Sequence, residues 1–287
     1  GFWFDPYETL GMGAKFWGLD GDSTNYSADS DDQSRLFRPF HDVLNEQEDT
    51  WPVAAADRIG NLNINTSSSV LGAEAYLRTA MLAGRGYNVD LLGGYSFLRL
   101  DDEVSIRSFS EITSGASTGD QFTLLDTFDA RNEFHGGEVG LASEIRHGDW
   151  TMSGLAKFSV GNMRQSVRID GVTNIRDAGG SETNHPGGIL AQPTNMGTHK
   201  RDKTVWIPEI GINASYEVRK WLRLTIGYSG IWISDVALSG DHIDRGVNPT
   251  QIGGTPPVPP DPARPAFSFQ TTEYWLHGLN LGATVNF

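Results

Sequence analysis

The sequence predicts an all-β fold, namely a transmembrane antiparallel up-and-down β-barrel with eight strands visible in the chain. Three observations predict it: eight segments alternate apolar and polar residues, the connections between them alternate in length, and no run approaches ~18 consecutive apolar residues. The clearest segment is 273–287, where the odd positions from Trp275 to Phe287 are nearly all apolar and the even ones small or polar. At ~15 residues it is much longer than the usual ~5–6 of a sandwich strand, but it suits a tilted bilayer crossing.

The other seven segments show the same period of two. In chain order they are Leu10–Leu19, Ser67–Leu82, Tyr87–Asp101, Phe134–Arg146, Trp150–Met163, Thr204–Val218 and Leu222–Ala237. The connections are tight at 83–86, 147–149 and 219–221, and long at 20–66, 102–133, 164–203 and 238–270. This order predicts short periplasmic turns and large extracellular loops. A soluble up-and-down barrel is the alternative, but it has no reason to lengthen every second loop.

Aromatic residues mark the predicted turn end of the barrel. Tyr87, Trp150 and Trp221 each stand at the first position after a tight turn, and Phe287 ends the chain on the apolar face. We expect these four residues to form a belt at the membrane interface. The alternative is that aromatic residues simply favour strands. Pro208 lies inside a predicted strand, where it cannot donate to the ladder, so a bulge or a position near the membrane rim is expected there.

Composition narrows the function classes. The 287 residues contain no Cys and carry a net charge of −14, with a mean hydropathy of −0.35. Such acidity argues against nucleic acid as a partner. We expect one domain over 1–287, located in the bacterial outer membrane, with outer-membrane lipid as its surroundings and no cofactor.

Eleven charged residues stand at the alternate strand positions that are predicted to face the barrel interior; six of them are acidic and five are basic. They are Lys15, Glu74, Arg78, Asp90, Glu138, Glu144, Arg146, Lys157, Glu209, Glu217 and Arg223. A barrel of eight to ten strands has a lumen only about wide enough for side chains. Near balance of charge therefore predicts a lumen-facing ion-pair network. We favour a structural or assembly barrel with a filled lumen, and a narrow porin for small solutes is the alternative.

Two further sites are weighed against simpler explanations. His242, between Asp241 and Asp244, is the best candidate for a barrel-rim hydrolase, but no nucleophile motif accompanies it and turn residues explain the pattern as well. The protein is therefore not expected to be an enzyme. The acidic residues of the first long loop could bind Ca²⁺, or join lipopolysaccharide or a neighbouring protomer through it, although a solvated acidic loop is favoured over a metal site.

Several long stretches of the chain resemble a known family. They are LGAEAYLR (71–78), VDLLGGYSFLRLDDEVSI (89–106), FDARNEFHGGEVGL (128–141), GGILAQPTNMG (187–197), IPEIGINASYEV (207–218), SGDHID (239–244), VNPTQ (247–251) and EYWLHGLNLG (273–282). Their order and spacing resemble the seventh family of "putative β-barrel porins", bacterial outer-membrane proteins. The resemblance covers almost the whole chain and implies the fold, whereas no activity follows from it.

The resemblance also implies strands that the visible eight do not include. Family members carry an earlier strand, then one that ends in a triplet like Gly1-Phe2-Trp3 before a tight turn. Residues 1–8 are therefore expected to be the end of that second strand and its periplasmic turn, in a complete barrel of ten strands. The alternative is an eight-strand barrel in which residues 1–8 form a plug or a periplasmic tail.

Overall fold

The computed structural model describes residues 2–5, 9–21, 23–253 and 262–285, and most of these residues are in β-strands. No helix in the described ranges is long and apolar enough to cross a membrane. Two short 3-10 turns cover Gly240–His242 and Pro249–Gln251. The strands are β1 (Phe2–Trp3), β2 (Leu10–Leu19), β3 (Ser23–Asp29), β4 (Leu36–Asp42), β5 (Gln47–Ala54), β6 (Arg58–Gly84), β7 (Tyr87–Ile112), β8 (Gln121–His147), β9 (Trp150–Arg176), β10 (Glu182–Pro186), β11 (Gly197–Arg219), β12 (Leu222–Val236), β13 (Gly246–Val247) and β14 (Thr272–Val285).

One antiparallel sheet contains every predicted strand. Its order is β1-β2-β6-β7-β8-β9-β11-β12-β14, with β3 added on β6 and β10 on β9. The eight predicted segments are the eight long strands from β2 to β14, and they pair in sequence order. A second, three-stranded sheet, β13-β4-β5, is formed by the connections. The tight turns are confirmed at residues 85–86, 148–149 and 220–221, where Gly86 and Gly148 have the positive φ that such turns require.

The strands run much further from the tight turns than the sequence predicted. β6 to β9 have 26 or 27 residues each, so the predicted loop 102–133 is mostly strand and only 113–120 connects β7 to β8. The predicted loop 164–203 is likewise shortened, because β9 continues to Arg176 and β11 begins at Gly197. The boundaries were wrong because apolar alternation stops where the outward side chains become charged, while strand pairing continues.

The sheet curls strongly. Lys15 on β2 and Glu209 on β11 lie five strand positions apart, about 24 Å in a flat sheet at ~4.8 Å per strand. Their Nζ and Oε1 atoms are nevertheless 2.6 Å apart. A large core also collects residues from β6, β7, β8, β9, β11 and β12. The concave face therefore encloses an interior.

The two sheet edges are not joined among the described residues. β1 pairs with β2 only through Phe2–Met12 and Trp3–Gly11, and β14 pairs only with β12. A closed ring, and with it the count of eight or ten strands, is therefore not established. Residues 6–8 of the predicted turn lie outside the described residues.

Of the two alternatives expected for Pro208, a bulge or a position near the membrane rim, the structure excludes the bulge. Pro208 pairs in register with Phe158 of β9, and the ladder there has no bulge. The ladder between β11 and β12 begins one residue later, at Glu209–Ile231. The missing N–H therefore falls where pairing with β12 ends, a position that proline tolerates.

Candidate functional site

The convex face of the sheet changes character along the strands. On β7, Tyr87, Leu91 and Tyr95 are exposed near the tight turn, and Arg99 and Asp101 follow on the same face. The other long strands carry the same apolar band, which is strongest on β14, where Leu279 and Leu281 are 77% and 81% exposed. Beyond this band the outward charges include Arg131, Arg168 and Asp170. The molecule therefore has an apolar-surfaced half and a polar-surfaced half, which we call the band and the head.

The interior of the band holds one ionic cluster centred on Lys157. The Nζ of Lys157 contacts Glu74, lies 2.9 Å from Glu209 Oε2 and lies 3.6 Å from Glu138 Oε2. Lys15 completes the cluster through Glu209. These five residues come from β2, β6, β8, β9 and β11, and all but Lys15 are buried. We call this cluster the clamp, because one lysine side chain ties three strands of the curled sheet together.

The other six predicted interior charges form three pairs nearer the tight turns. The pairs are Arg78 with Asp90, Arg146 with Glu144 at 2.6 Å, and Arg223 with Glu217 at 3.9 Å. All eleven predicted charges are thus paired among themselves. The last two pairs are more exposed than the clamp, and exposed pairs contribute little to stability.

The interior of the head is filled by the connections between strands. Segments 36–54, 187–196 and 237–252 supply Phe40, Ile189 and Val247 to a core that also contains Phe128 of β8 and Ile169 of β9. β13 pairs with β4, which joins the first and the last connection. We call this packed material the plug.

Asp126 of β8 anchors the plug to the wall. Its Oδ1 accepts the backbone N–H groups of Ile189, Leu190 and Ala191 at 2.9, 3.0 and 2.7 Å. Its Oδ2 accepts a hydrogen bond from the Arg38 guanidinium on β4. Both side chains are buried, so one carboxylate holds two separate connections in place.

Asp244 braces the last connection. It accepts the N–H groups of Gly246 at 2.9 Å and Ala266 at 2.8 Å, and Arg264 donates to it at 2.8 Å. Burial disfavours its charge, but these donors outweigh burial and hold its pKa below the ordinary value of 3.8. The brace therefore stabilises the fold fully above that value, and the stabilisation is lost as the pH falls from it towards the lower pKa of the folded state.

The geometry of His242 does not support a hydrolase. Its Nδ1 is 2.7 Å from the carbonyl oxygen of Leu238, and its Nε2 accepts the N–H of Gln270 at 3.4 Å. The ring is buried and stacks on Phe267. Burial lowers its pKa. Both ring nitrogens are thus engaged by backbone groups, which leaves neither for proton transfer. The absence of enzyme activity stays a prediction.

The predicted interface aromatics lie at the turn end of the band. Tyr87 and Trp150 are the first residues of β7 and β9, as predicted, whereas Trp221 is the last residue of the turn before β12, one position earlier than predicted. All three are exposed. Trp150 packs on Tyr216, with ring centroids 4.9 Å apart. Phe287 lies outside the described residues. A second aromatic row, Phe158, Trp206, Trp232 and Trp275, crosses four strands near the other border of the band.

The acidic first loop behaves as ordinary turn structure where it is described. Asp29 accepts the N–H groups of Asp31 and Asp32 at 2.9 and 3.1 Å. Within the described ranges, no three carboxylate or His residues are arranged to hold a metal ion. Asp22 of this loop lies outside those ranges.

Sequence reasoning missed Arg38 and Asp126. Both fall in stretches predicted as loops, where charged residues are expected to be solvated. Leu124, Asp126 and Phe128 are alternate positions of one strand, so the pattern could have shown that Asp126 faces the same way as its two apolar neighbours. Its partners, however, are remote in sequence.

An antiparallel all-β sheet, curled round paired charges and carrying an apolar outer band, is typical of β-barrel membrane proteins of the porin type. The family model described as "Putative beta barrel porin-7 (BBP7)" matches residues 1–287, the whole chain. The chain therefore belongs to this family. Searches of curated proteins and of solved structures give no match.

Proposed function

We propose that the protein is an outer-membrane β-barrel with a structural or assembly role at the cell surface and a filled interior. The observation that carries the proposal is the double occupation of the concave face. The Lys157 clamp fills the band, and the plug, anchored by Asp126, fills the head. Solutes could cross the interior only if both the clamp and the plug moved.

The extent of the band supports the membrane location, which family membership also suggests. On β9 the band runs from Trp150 to Val160, about 33 Å of strand at ~3.3 Å per residue. A tilt of about 40° reduces this to about 25 Å, the height of the apolar band of outer-membrane barrels. The two aromatic rows at its borders suit the two interfaces.

The proposed barrel is closed by hydrogen bonding along β14, because unpaired backbone groups in lipid cost several kcal/mol each. An eight-strand ring would bring β14 directly beside β2, and a ten-strand ring would separate them. Since the chain has no Cys, a cysteine at Ala14 can be tested against single cysteines along β14. Oxidative crosslinking supports eight strands, and its failure at every β14 position supports ten.

Planar-bilayer conductance tests the filled interior. Reconstituted protein is expected to give no single-channel steps, and liposomes containing it are expected to exclude small solutes. Regular steps would overturn the filled lumen and favour the narrow porin, which the family description supports. Unboiled protein should also migrate differently from boiled protein on a denaturing gel, and a soluble fraction with no such shift would refute the barrel itself.

Outer-membrane lipid is the partner that this proposal requires. Three further predictions remain: that the acidic loops bind Ca²⁺ or lipopolysaccharide, that the protein forms a homo-oligomer, and that it has envelope protein partners.

A further inference from the structure

The clamp has one negative charge too many. Glu74, Glu138 and Glu209 surround Lys157 and Lys15, so three carboxylates face two ammonium groups. The Arg78–Asp90 pair, four residues nearer the tight turn on β6, is neutral in itself. The cluster therefore has a net charge of −1, and all of its side chains except Lys15 are buried.

The excess charge concentrates on Glu138. Its side chain is only 1% exposed, and neither of its carboxylate oxygens has a hydrogen-bond partner. Lys157 has three N–H donors; it gives a hydrogen bond to Glu74 and lies 2.9 Å from Glu209 Oε2, but it stays 3.6 Å from Glu138. A buried, ionised carboxylate without a hydrogen bond is strongly disfavoured, so something must supply a positive charge or a donor.

A cavity beside the clamp has the size for one small guest. It measures about 10 Å³, the room of a single water molecule, and its lining includes Glu74, Glu209, Ser96 and Ser159. The indole N–H of Trp17 also lines it and has no hydrogen-bond partner. A water molecule there would accept from Trp17 and connect the two glutamates, although it would not balance the charge.

We propose that the clamp is a binding site for one exchangeable monovalent cation, which neutralises Glu138. The positive charge comes from a proton or from an alkali ion. The described residues offer no three-carboxylate arrangement that could hold a metal ion, and the Trp17 donor favours a neutral water in the cavity. The expected cation is therefore a proton on Glu138. The site rests on the clamp geometry alone, so a lumen that conducts would leave it standing.

The ionisable groups of the clamp come from all strands packed round Glu138 except β7. They are Glu74 of β6, Lys157 of β9, Glu209 of β11 and Lys15 of β2, whereas β7 places Gly94 opposite Glu138 and Ser96 beside the cavity. Lys157 is also paired with Glu74 and Glu209, and Lys15 with Glu209, so neither lysine depends on Glu138 alone. The experiment must therefore abolish the titration of Glu138 and leave the other four groups of the clamp unchanged.

The test compares wild type with Glu138→Gln, which keeps the shape and removes the unpaired charge. The midpoint of heat unfolding, measured by the gel shift of folded protein, is followed from mildly acidic to mildly alkaline pH. It is then followed in potassium chloride against an equal concentration of N-methylglucamine chloride. The matched control is Glu144→Gln, which lies on the same strand and face but is paired with Arg146 and partly exposed.

For a proton, the wild-type midpoint falls by at least about 2 °C towards alkaline pH, and Glu138→Gln loses that fall while Glu144→Gln keeps it. For an alkali ion, potassium raises the wild-type midpoint and N-methylglucamine does not, again with the difference absent from Glu138→Gln. Equal pH and salt responses in wild type and Glu138→Gln would overturn the site.

If Glu138→Gln does not fold, Glu74→Gln makes the same test, because it removes the excess charge from another corner of the clamp. Infrared spectroscopy of the wild type gives an independent measurement. A protonated carboxyl band at neutral pH that is exchanged only slowly in deuterium oxide supports a proton at the buried site. The absence of both that band and a potassium effect contradicts the proposal.

Discussion

Replacing Asp126 with Asn should release the plug from the wall. The variant keeps the size of the side chain and one carbonyl oxygen, so it can still accept from the backbone of Ile189 to Ala191. It puts a neutral amide against the buried Arg38 guanidinium, however, and Arg38 has only one other side-chain partner among the described residues, the Ser108 hydroxyl at 3.3 Å. The charge of Arg38 is then left without compensation.

The size of the effect follows from this burial. Removing one partner of a buried ion pair costs about 3–5 kcal/mol, because the other charge stays desolvated. The matched control is Asp170→Asn, which breaks the Arg168–Asp170 pair on the outer surface of β9. Both of those side chains are about half exposed, so its cost should be about 0–1 kcal/mol.

Limited proteolysis and urea unfolding of the refolded protein measure the difference. We expect Asp126→Asn to be cleaved within segments 36–54 and 187–196 at protease levels that leave wild type and Asp170→Asn intact. The band, which carries the clamp and not the plug, should keep its gel shift. If Asp126→Asn and Asp170→Asn unfold together and resist the protease equally, Asp126 does not anchor the plug.

Three further outcomes are expected. Lys157→Met leaves three glutamates without their common partner and should lower the unfolding free energy by about 3–5 kcal/mol in urea titrations. The control Arg146→Met should change it by less than about 1 kcal/mol, and equal losses in the two variants would contradict the role of the clamp. Leu141→Arg places a charge near the middle of the band, because Leu141 pairs with Ala156 of β9, and should cost about 2–4 kcal/mol in vesicles, while Val172→Arg, on the outer face of the head, should cost almost nothing. Similar costs for the two variants would show that the membrane does not cover the band. Asp244→Asn should flatten the loss of stability on acidification below about pH 4, because the depressed pKa of Asp244 makes that loss part of the wild-type profile; identical acid profiles would show that its hydrogen bonds contribute nothing.

The barrel half of the fold follows from the sequence because lipid and interior demand opposite chemistry on alternate residues. The boundaries of β2 were predicted to the residue, and the turn ends of β6 to β12 to within about two. The far ends of β6 to β9 were not, since residues such as Asp101 and Arg131 face water on the outside of the head. Once the outer face is polar, the hydrophobic pattern no longer distinguishes a strand from a loop.

The eleven interior charges illustrate the same division. Their parity alone predicts that they share a face, and near balance of charge predicts that they pair. Which residues meet depends on the curl of the sheet: Lys15 reaches Glu209 and Lys157 reaches Glu74 only because strands distant in the flat order face each other across the interior.

By itself, the sequence determined the all-β class, the number and order of the long strands in the chain, the tight turns and the inward face of each strand. These features depend on local periodicity and on turn chemistry, which a single chain displays directly. Only the tertiary structure decided that the outer connections fold into a plug, that Asp126 anchors it, and that Glu138 lacks a hydrogen bond within the clamp. Those features depend on contacts between residues far apart in the chain, and the burial that gives each charge its energetic weight exists only once the sheet has curled.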